Sequence, residues 1–314
     1  MKDRHLSEIA KIPWGPPPGI PEIFVDAPRH SRWTAEPPPK ERAPVHLRLA
    51  PDGSFGLLVA DPLTGSGLPP QVLRLTPAGP SSRLEIAPPA GRFLQWQIVD
   101  FTLDRDGGVY LLEQITTQSG GATTLRKVGA DGAEIWRVTP DLEVPAGSFT
   151  GLLIGGSGVY LSAAQERGLI ARIDPANGRL SRYADLTPWT GDALVGPDER
   201  VCFVRFVPER NARAWVRLDP ETGRETETLC SPAAFDLLAL PIGVDALGRA
   251  YGVHGWTVGC IGTEGALLWR ESPDGGDLRL EPPTSWRVSP AGTIYLPVLG
   301  SSGFHLLALE PGDG

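Results

Sequence analysis

The amino-acid sequence is dominated by one internal repeat, a short apolar strand followed by a tight turn and a second apolar strand. The repeat reads LRLAPDGSFGLLV at residues 47–59 and DFTLDRDGGVYLLE at residues 100–113. Its turn position recurs after 54, 50, 42, 49 and 44 residues, at Gly53, Gly107, Ser157, Glu199, Gly248 and Gly292. Six similar units at this period predict a repeat architecture in which neighbouring units share a core.

A second hairpin follows each of these first hairpins. It reads IARIDPANGRL at residues 170–180 and VRLDPETGRE at residues 216–225. In such turns Asp accepts backbone hydrogen bonds, Pro presets φ and Gly accommodates positive φ. Two hairpins in about 40–50 residues match one propeller blade. We therefore predict an all-β fold, a six-bladed β-propeller of four-stranded antiparallel blades; an open solenoid or two sandwiches is the alternative.

The two ends of the chain predict how the propeller closes. The last unit stops one strand short, and a free edge would be left unless another segment paired with it. We predict that an N-terminal strand near residues 22–25 (EIFV) fills this place and that the propeller spans residues 46–314. Residues 1–45 form a proline-rich arm, with ten prolines between Ile12 and Val45, which favours polyproline II. The arm either wraps the propeller or docks onto a partner protein.

Charge and composition limit the functional classes. The net charge is −8 and the isoelectric point is about 5.2, so we expect no nucleic-acid binding. Three cysteines without CxxC spacing favour a reducing compartment. Neither a signal peptide nor an apolar membrane span is visible, so we expect a cytoplasmic protein that does not contact membranes, with leaderless export left open.

No residue pattern indicates catalysis. None of the five histidines has a partner at metal-ligand spacing. A GxSxG motif, a P-loop and a strand–glycine–helix unit are all absent from the sequence. We therefore assign no catalytic residue, no metal ligand and no cofactor, and expect that the chain is not an enzyme. An arginine recurs on the third strands, at Arg74, Arg126, Arg172 and Arg217, where it is either a structural residue or part of a binding stripe.

One face of the propeller is the predicted site of binding. The loops between blades and the loops between second and third strands share that face, and they vary more than the tight turns of the opposite face. Aromatic and polar side chains near these loops could line a channel mouth. The candidate residues are Trp96, Gln97, Phe149, Trp189, Asp192, Phe235, Asp236, His254, Trp256 and Trp286. The alternative is that these rings pack as wedges between adjacent blades. Trp136 and Trp269 follow the turns of second hairpins, and we expect them to be packing residues of the fourth strands.

The repeat resembles those of NHL-like and quinoprotein-like propellers. The resemblance rests on IARIDPANGRL, VRLDPETGRE, AEIWRV and ALLWRE, and it covers about residues 46–311. It implies the scaffold only. The vicinal cysteines of quinoproteins are absent, and the metal-binding set of lactonase propellers has no match, because the sequence has only Asn177 and Asn211. Fold similarity by itself does not imply function.

Two functions remain open at this point. The first is a non-catalytic protein-interaction or scaffold propeller, which binds a protein partner through the arm, the inter-blade loop face or both. By analogy with NHL-like propellers, it could belong to a larger bacterial assembly such as a phage-tail-like or injection system. The second is a small-ligand binder or hydrolase-type enzyme that uses the aromatic-lined channel mouth.

Overall fold

Alternating apolar residues and turn signals give an all-β chain. The structure is a computed structural model that describes residues 6–7, 23–24, 34–35, 43–50, 54–60, 69–76, 79–141, 149–155, 158–163, 168–186, 193–219, 222–273, 279–280, 286–300 and 303–309. These residues form six blades of four antiparallel strands, as predicted for a β-propeller. No helix of the described part is long and apolar enough to cross a membrane.

The first half of the chain supplies three short strands and three blades. The short strands are β1 (Leu6–Ser7), β2 (Ile23–Phe24) and β3 (Thr34–Ala35). Blade 1 consists of β4 (Ala43–Leu49), β5 (Phe55–Ala60), β6 (Gln71–Thr76) and β7 (Gly79–Glu85). Blade 2 consists of β8 (Gln95–Leu103), β9 (Val109–Thr117), β10 (Gly120–Val128) and β11 (Glu134–Val138). Blade 3 consists of β12 (Phe149–Ile154), β13 (Val159–Ala163), β14 (Gly168–Ile173) and β15 (Leu180–Leu186).

The second half supplies the other three blades. Blade 4 consists of β16 (Leu194–Val195), β17 (Val201–Val207), β18 (Ala212–Leu218) and β19 (Glu225–Leu229). Blade 5 consists of β20 (Leu240–Val244), β21 (Ala250–His254), β22 (Thr257–Ile261) and β23 (Leu267–Glu271). Blade 6 is built on β24 (Arg279–Leu280), β25 (Arg287–Val288), β26 (Ile294–Gly300) and β27 (Gly303–Leu309). In the described part of the chain, 3-10 helices span Pro208–Arg210, Pro232–Ala234 and Leu237–Ala239.

The chain divides into two compact units. Unit 1 comprises residues 1–49, 53–86 and 272–314, with blades 1 and 6; unit 2 comprises residues 50–52 and 87–271, with blades 2 to 5. In unit 2 the core lies in layers between adjacent blades. Tyr110 and Leu112 of blade 2 pack with Phe149 and Leu152 of blade 3, and further layers join blades 3 and 4 and blades 4 and 5. Burial of these apolar faces is what holds successive sheets together.

An N-terminal strand completes blade 6, but it comes from a different place than residues 22–25. β1 pairs with β27, with Leu6 opposite Leu309 and Ser7 opposite Ala308. β2, which lies within residues 22–25, pairs instead with β3. The pairing of a strand edge uses backbone groups, so an apolar segment identifies a strand without identifying its neighbour.

In blade 2 the recurring third-strand cation lies one residue later than the repeat pattern of the sequence predicts. In blade 2 the residue opposite Tyr110 is Lys127, whereas Arg126 lies opposite Leu111. Arg172 and Arg217 occupy the Lys127 position in blades 3 and 4. Successive side chains of a strand point to opposite faces, so Arg126 belongs to the other face of blade 2. Because Arg126 and Lys127 are adjacent in TLRKV, the sequence does not show which of them occupies the recurring position.

In blades 2 and 4 the cation at the shared position forms an ion pair within its own blade. Lys127 Nζ lies 2.8 Å from Asp104 Oδ2, and Arg217 pairs with Asp198, so each cation reaches the tight turn of its own blade. The predicted packing of fourth-strand tryptophans is confirmed as well. Trp136 lies 5.9 Å from Tyr110, a distance typical of aromatic packing between ring centroids.

Candidate functional site

In each sheet of unit 2 the loop before the first strand and the loop between the second and third strands lie at the same end. We call this the loop end and the opposite, tight-turn end the turn end. In blade 2 the backbone N–H of Leu94 donates to the carbonyl of Thr116 at 2.7 Å, which joins the two loops. The predicted binding residues Trp96, Gln97 and Trp256 all lie at loop ends.

Among the described strands of unit 2, β9 of blade 2 is the longest second strand. Strand β9 ends ten residues after the turn glycine Gly107, whereas β21 of blade 5 ends six residues after Gly248. Four more residues extend the blade by about 13 Å. We define the blade 2 extension as residues 95–97, 114–117 and 120–123, which carry amide, hydroxyl and apolar side chains and no charge.

Apolar side chains are exposed where the chain enters this extension. Leu94 is 68% exposed and Phe93 is 36% exposed. The ring of Phe93 lies 6.5 Å from that of Trp96, which is half-buried. Large apolar side chains that are solvent-exposed side by side mark a surface suited to binding another apolar surface.

A buried ion pair holds the ring of Trp96 in place. Trp96 Nε1 donates a 2.9 Å hydrogen bond to Glu113 Oε1, and the Arg126 guanidinium lies 5.9 Å from the centre of the indole ring. Arg126 Nη2 lies 2.6 Å from the same carboxylate oxygen. These contacts hold the ring in one orientation.

The ion pair is itself almost fully buried. The exposed fractions of the Glu113 and Arg126 side chains are 0% and 4%. Thr124 Oγ1 also donates to Glu113, and Arg126 Nη1 donates to the carbonyl of Ala87 at 2.9 Å. Burial raises the pKa of Glu113, and Arg126 and the Trp96 indole oppose that rise. No sequence motif marks this pair; its only signal was the presence of polar residues at buried positions of an apolar strand.

Gln97 lies on the opposite face of the blade 2 extension from Trp96. Its Nε2 donates to Gln114 Oε1 at 2.9 Å, and both residues are at the surface. Blade 2 therefore brings two predicted site residues, Trp96 and Gln97, to one extension. They present an aromatic face and an amide face to solvent.

The predicted residues of blades 4 and 5 form a separate group within unit 2. Phe235 is half-buried, with the Arg213 guanidinium 4.4 Å from its ring centre, and its neighbour Asp236 is exposed. His254 and Trp256 lie at the tight connection between β21 and β22, where Trp256 is 50% exposed. Trp256 is therefore a second exposed aromatic side chain at the loop end.

The remaining predicted residues are not available at the surface or fall outside the description. Phe149 is buried between blades 2 and 3, and Trp286 is completely buried in unit 1. Phe149 therefore follows the alternative interpretation, in which the ring packs between blades. Trp189 and Asp192 lie outside the described residues.

In blade 5 the backbone of Leu237 approaches Gly252 closely, and the sequence analysis did not predict this contact. Gly252 and Gly259 are directly opposite on β21 and β22, and a Cβ on Gly252 would lie 2.8 Å from the carbonyl carbon of Leu237. The 3-10 helix Leu237–Ala239 thus packs onto the strands where side chains are absent. Glycine inside a strand is the signal that could have predicted this contact.

The thiols are buried and unreactive in character. Cys202, Cys230 and Cys260 are buried, and none of them forms a disulfide. Burial raises the pKa of Cys202 to about 12 and that of Cys230 to about 11, so neither is a thiolate near neutral pH. Among the residues that the structure describes, no group of three or more His, Cys, Asp and Glu is placed to hold a metal ion.

Comparison with known proteins gives similarity at the level of fold. No protein-family model and no curated protein matches the chain. A gluconolactonase from Xanthomonas campestris is 15% identical, covers 88% of this chain and 89% of its own, and has a TM-score of 0.49. A quinoprotein alcohol dehydrogenase-like protein from Bacteroides thetaiotaomicron is 9% identical over 84% of this chain and 61% of its own, with a TM-score of 0.48. The Pan2 WD40 domain from Neurospora crassa is 9% identical over 85% and 89%, with a TM-score of 0.45.

The propeller scaffold expected from the sequence is confirmed by the six four-stranded blades. Similarity at identities of 15% or below does not carry the activity of those proteins over to this chain.

Proposed function

We propose that this propeller is a protein-interaction module whose partner binds at the loop end of unit 2, above all at blade 2. The supporting observation is the adjacent pair of exposed apolar side chains, Phe93 and Leu94, beside the oriented ring of Trp96. An aromatic anchor with apolar neighbours and an uncharged polar rim is the usual composition of an energetically important interface centre.

The finer proposal is that the chain is a scaffold component of a larger assembly, such as a phage-tail-like or injection system, and works in the cytoplasm. The proline-rich arm, residues 1–45, is the second contact that we propose for such an assembly. Extended proline-rich segments lose little conformational freedom on binding, so they suit a docking role.

The experiment compares two leucines of nearly equal exposure at opposite ends of unit 2. Leu94 is 68% exposed at the loop end, and Leu247 is 69% exposed in the tight turn of blade 5. Full-length tagged chains carrying Leu94→Asp or Leu247→Asp are crosslinked in native cells, and each captured complex is then reconstituted from purified proteins. The dissociation constant is measured for both variants.

We expect Leu94→Asp to weaken the reconstituted complex at least about tenfold, because burying a leucine contributes about 1.5–3 kcal/mol and a charge there opposes burial. Leu247→Asp should bind like the original chain. Equal affinities of the two variants, or a strict monomer by light scattering with no partner recovered, would contradict the proposal and leave the small-ligand alternative.

A further inference from the structure

The turn between β14 and β15 in blade 3 contains an asparagine that is followed directly by a glycine. This turn reads DPANGR at residues 174–179, and the other asparagine of the chain, Asn211, is followed by alanine. In an asparagine–glycine pair the glycine nitrogen can attack the side-chain amide carbon, because glycine has no Cβ to crowd the approach. Asn177 is exposed, so water reaches it. This turn is therefore the place in the chain where spontaneous loss of a side-chain amide is most favoured.

The reaction replaces the amide by a carboxylate in two steps. The Gly178 nitrogen gives up its proton to solvent base and bonds to Cγ of Asn177, the Cγ–Nδ2 bond breaks, and ammonia leaves. The resulting five-membered succinimide then takes up water. Ring opening at the side-chain carbonyl gives aspartate, whereas opening at the main-chain carbonyl gives isoaspartate, in which the backbone runs through Cγ. Water and hydroxide are the only co-reactants, and nothing is oxidised or reduced.

The folded turn holds both reacting groups in place. The Gly178 N–H donates a 2.8 Å hydrogen bond to the carbonyl of Asp174. Asn177 Nδ2 donates to Asp174 Oδ2 at 2.8 Å, and Asn177 Oδ1 accepts from the Arg179 N–H at 2.9 Å. The attacking nitrogen and the amide that it attacks are thus both bound elsewhere. These hydrogen bonds must break before the succinimide can form, so the reaction depends on local opening of the turn.

A tryptophan of blade 2 covers this turn. A Cβ on Gly178 would lie 2.7 Å from the ring of Trp136, so the indole packs directly on the glycine backbone. Trp136 Nε1 also donates a 3.0 Å hydrogen bond to the carbonyl of Pro175. Opening the turn therefore requires breaking its contact with blade 2 as well as its own hydrogen bonds.

Blade 4 contains a matching turn that lacks this cover. The turn reads DPETGR from Asp219, with Thr222 in place of the asparagine. The Gly223 N–H donates to the carbonyl of Asp219 at 2.9 Å, and its φ of +67° is close to the +74° of Gly178. A Cβ on Gly223 would meet no atom of the described residues within 4 Å. The two turns thus share their backbone geometry and differ in the packing of Trp136.

We propose that Asn177 is a modification site controlled by the fold. It stays an amide while the turn is closed against Trp136, and it converts to aspartate or isoaspartate when the turn opens. Aspartate would place a second carboxylate where the amide now donates to Asp174, and isoaspartate would lengthen the backbone beneath the indole, so the modified turn closes less well. Opening of the contact between blades 2 and 3 therefore leaves a permanent chemical change. The site lies at the turn end of unit 2, so it is separate from the loop-end surface proposed above.

The test follows both turns in one molecule. Thr222→Asn creates an asparagine–glycine pair in the uncovered turn of blade 4, and Trp136→Leu removes the cover of the turn in blade 3. The full-length chains are incubated at neutral pH, either folded or in urea, and are then digested with trypsin. Position 177 is read in the peptide IDPANGR, and position 222 of the first variant is read in the matching peptide from blade 4. Mass spectrometry detects the replacement of NH2 by OH, and chromatography separates aspartate from isoaspartate.

We expect positions 177 and 222 to convert at similar rates in urea. In the folded chain, position 177 should convert at least about tenfold more slowly than in urea, because only the small population with an open turn reacts. It should also convert more slowly than position 222 of the same folded molecules. Trp136→Leu should raise the folded-state rate at position 177 about tenfold, the effect of losing one hydrogen bond and its packing, and should leave the rate in urea unchanged.

Three results would overturn the proposal. They are equal rates at position 177 in the folded chain and in urea, no conversion at position 177 in urea, and a folded-state rate at position 177 that equals or exceeds the rate at position 222. Thermal unfolding shows whether Trp136→Leu still folds. If it does not, the comparison of the two turns in the Thr222→Asn chain decides alone, because that chain keeps Trp136 and changes only an exposed residue.

Discussion

The buried pair beneath the Trp96 ring makes the sharpest prediction. Arg126→Met keeps most of the side-chain volume and removes the cation that faces Glu113, whose side chain is fully buried. An uncompensated buried charge costs about 3–5 kcal/mol when its partner is removed. The free energy of unfolding at about pH 7 should fall by that amount. Trp96 keeps its hydrogen bond to Glu113, so a smaller loss would mean that water takes over the role of Arg126.

The same substitution should make stability depend on pH. Burial already raises the pKa of Glu113, and Arg126 is the strongest of the groups that lower it. Without Arg126 that pKa rises further, so the folded state binds the proton more tightly than the unfolded chain. The free energy of unfolding then falls as pH rises from the usual glutamate range toward the raised pKa. Each pH unit in this window is worth about 1.4 kcal/mol, so the defect should be smaller at about pH 5 than at about pH 7 by up to about 2.7 kcal/mol.

The assay is urea denaturation followed by tryptophan fluorescence at both pH values, on the original chain and on two variants. Arg137→Met is the matched control, because Arg137 pairs with Glu134 at the surface and such pairs contribute about 0–1 kcal/mol. The double variant Glu113→Leu with Arg126→Met should recover most of the loss, since an apolar replacement of both partners leaves no charge buried. If Arg126→Met behaves like Arg137→Met, or if its defect is the same at both pH values, the reasoning is refuted.

Two other predictions concern the interior of unit 2. Gly252→Ala places a carbon against the backbone of Leu237, so it should lower the free energy of unfolding by about 1–3 kcal/mol; a thermal midpoint equal to that of Gly121→Ala, whose added carbon meets nothing, would contradict this. Cys202 and Cys230 should react with a thiol reagent at about pH 8 only after denaturation, because burial raises the pKa of both thiols. Rapid reaction of either cysteine in the folded chain, measured by mass spectrometry, would show that the thiol is accessible.

The location of some candidate residues was predictable, because a residue's place within the repeat determines the end of the blade at which it lies. Trp96, Gln97 and Trp256 were placed at loop ends from the spacing of the turns alone, and the structure has them there. Exposure was not predictable in the same way. An aromatic residue near the start of a blade looks the same in sequence whether it packs inward, as Phe149 does, or faces solvent.

The sequence by itself determined the number of blades, the strands within them and the position of their tight turns. These follow from local chemistry: side-chain alternation defines a strand, and Asp, Pro and Gly define the turn between two strands. The period of the repeat then fixed the fold class, and all six blades are present in the structure.

Tertiary structure alone decided which segments become neighbours. It placed β1 and not β2 beside β27, and Lys127 and not Arg126 at the shared cation position. It also brought Glu113, Arg126 and Trp96 together. Backbone hydrogen bonding is the same for every residue except proline, and a one-residue shift reverses the face of every side chain, so neither partner nor register is written in local sequence.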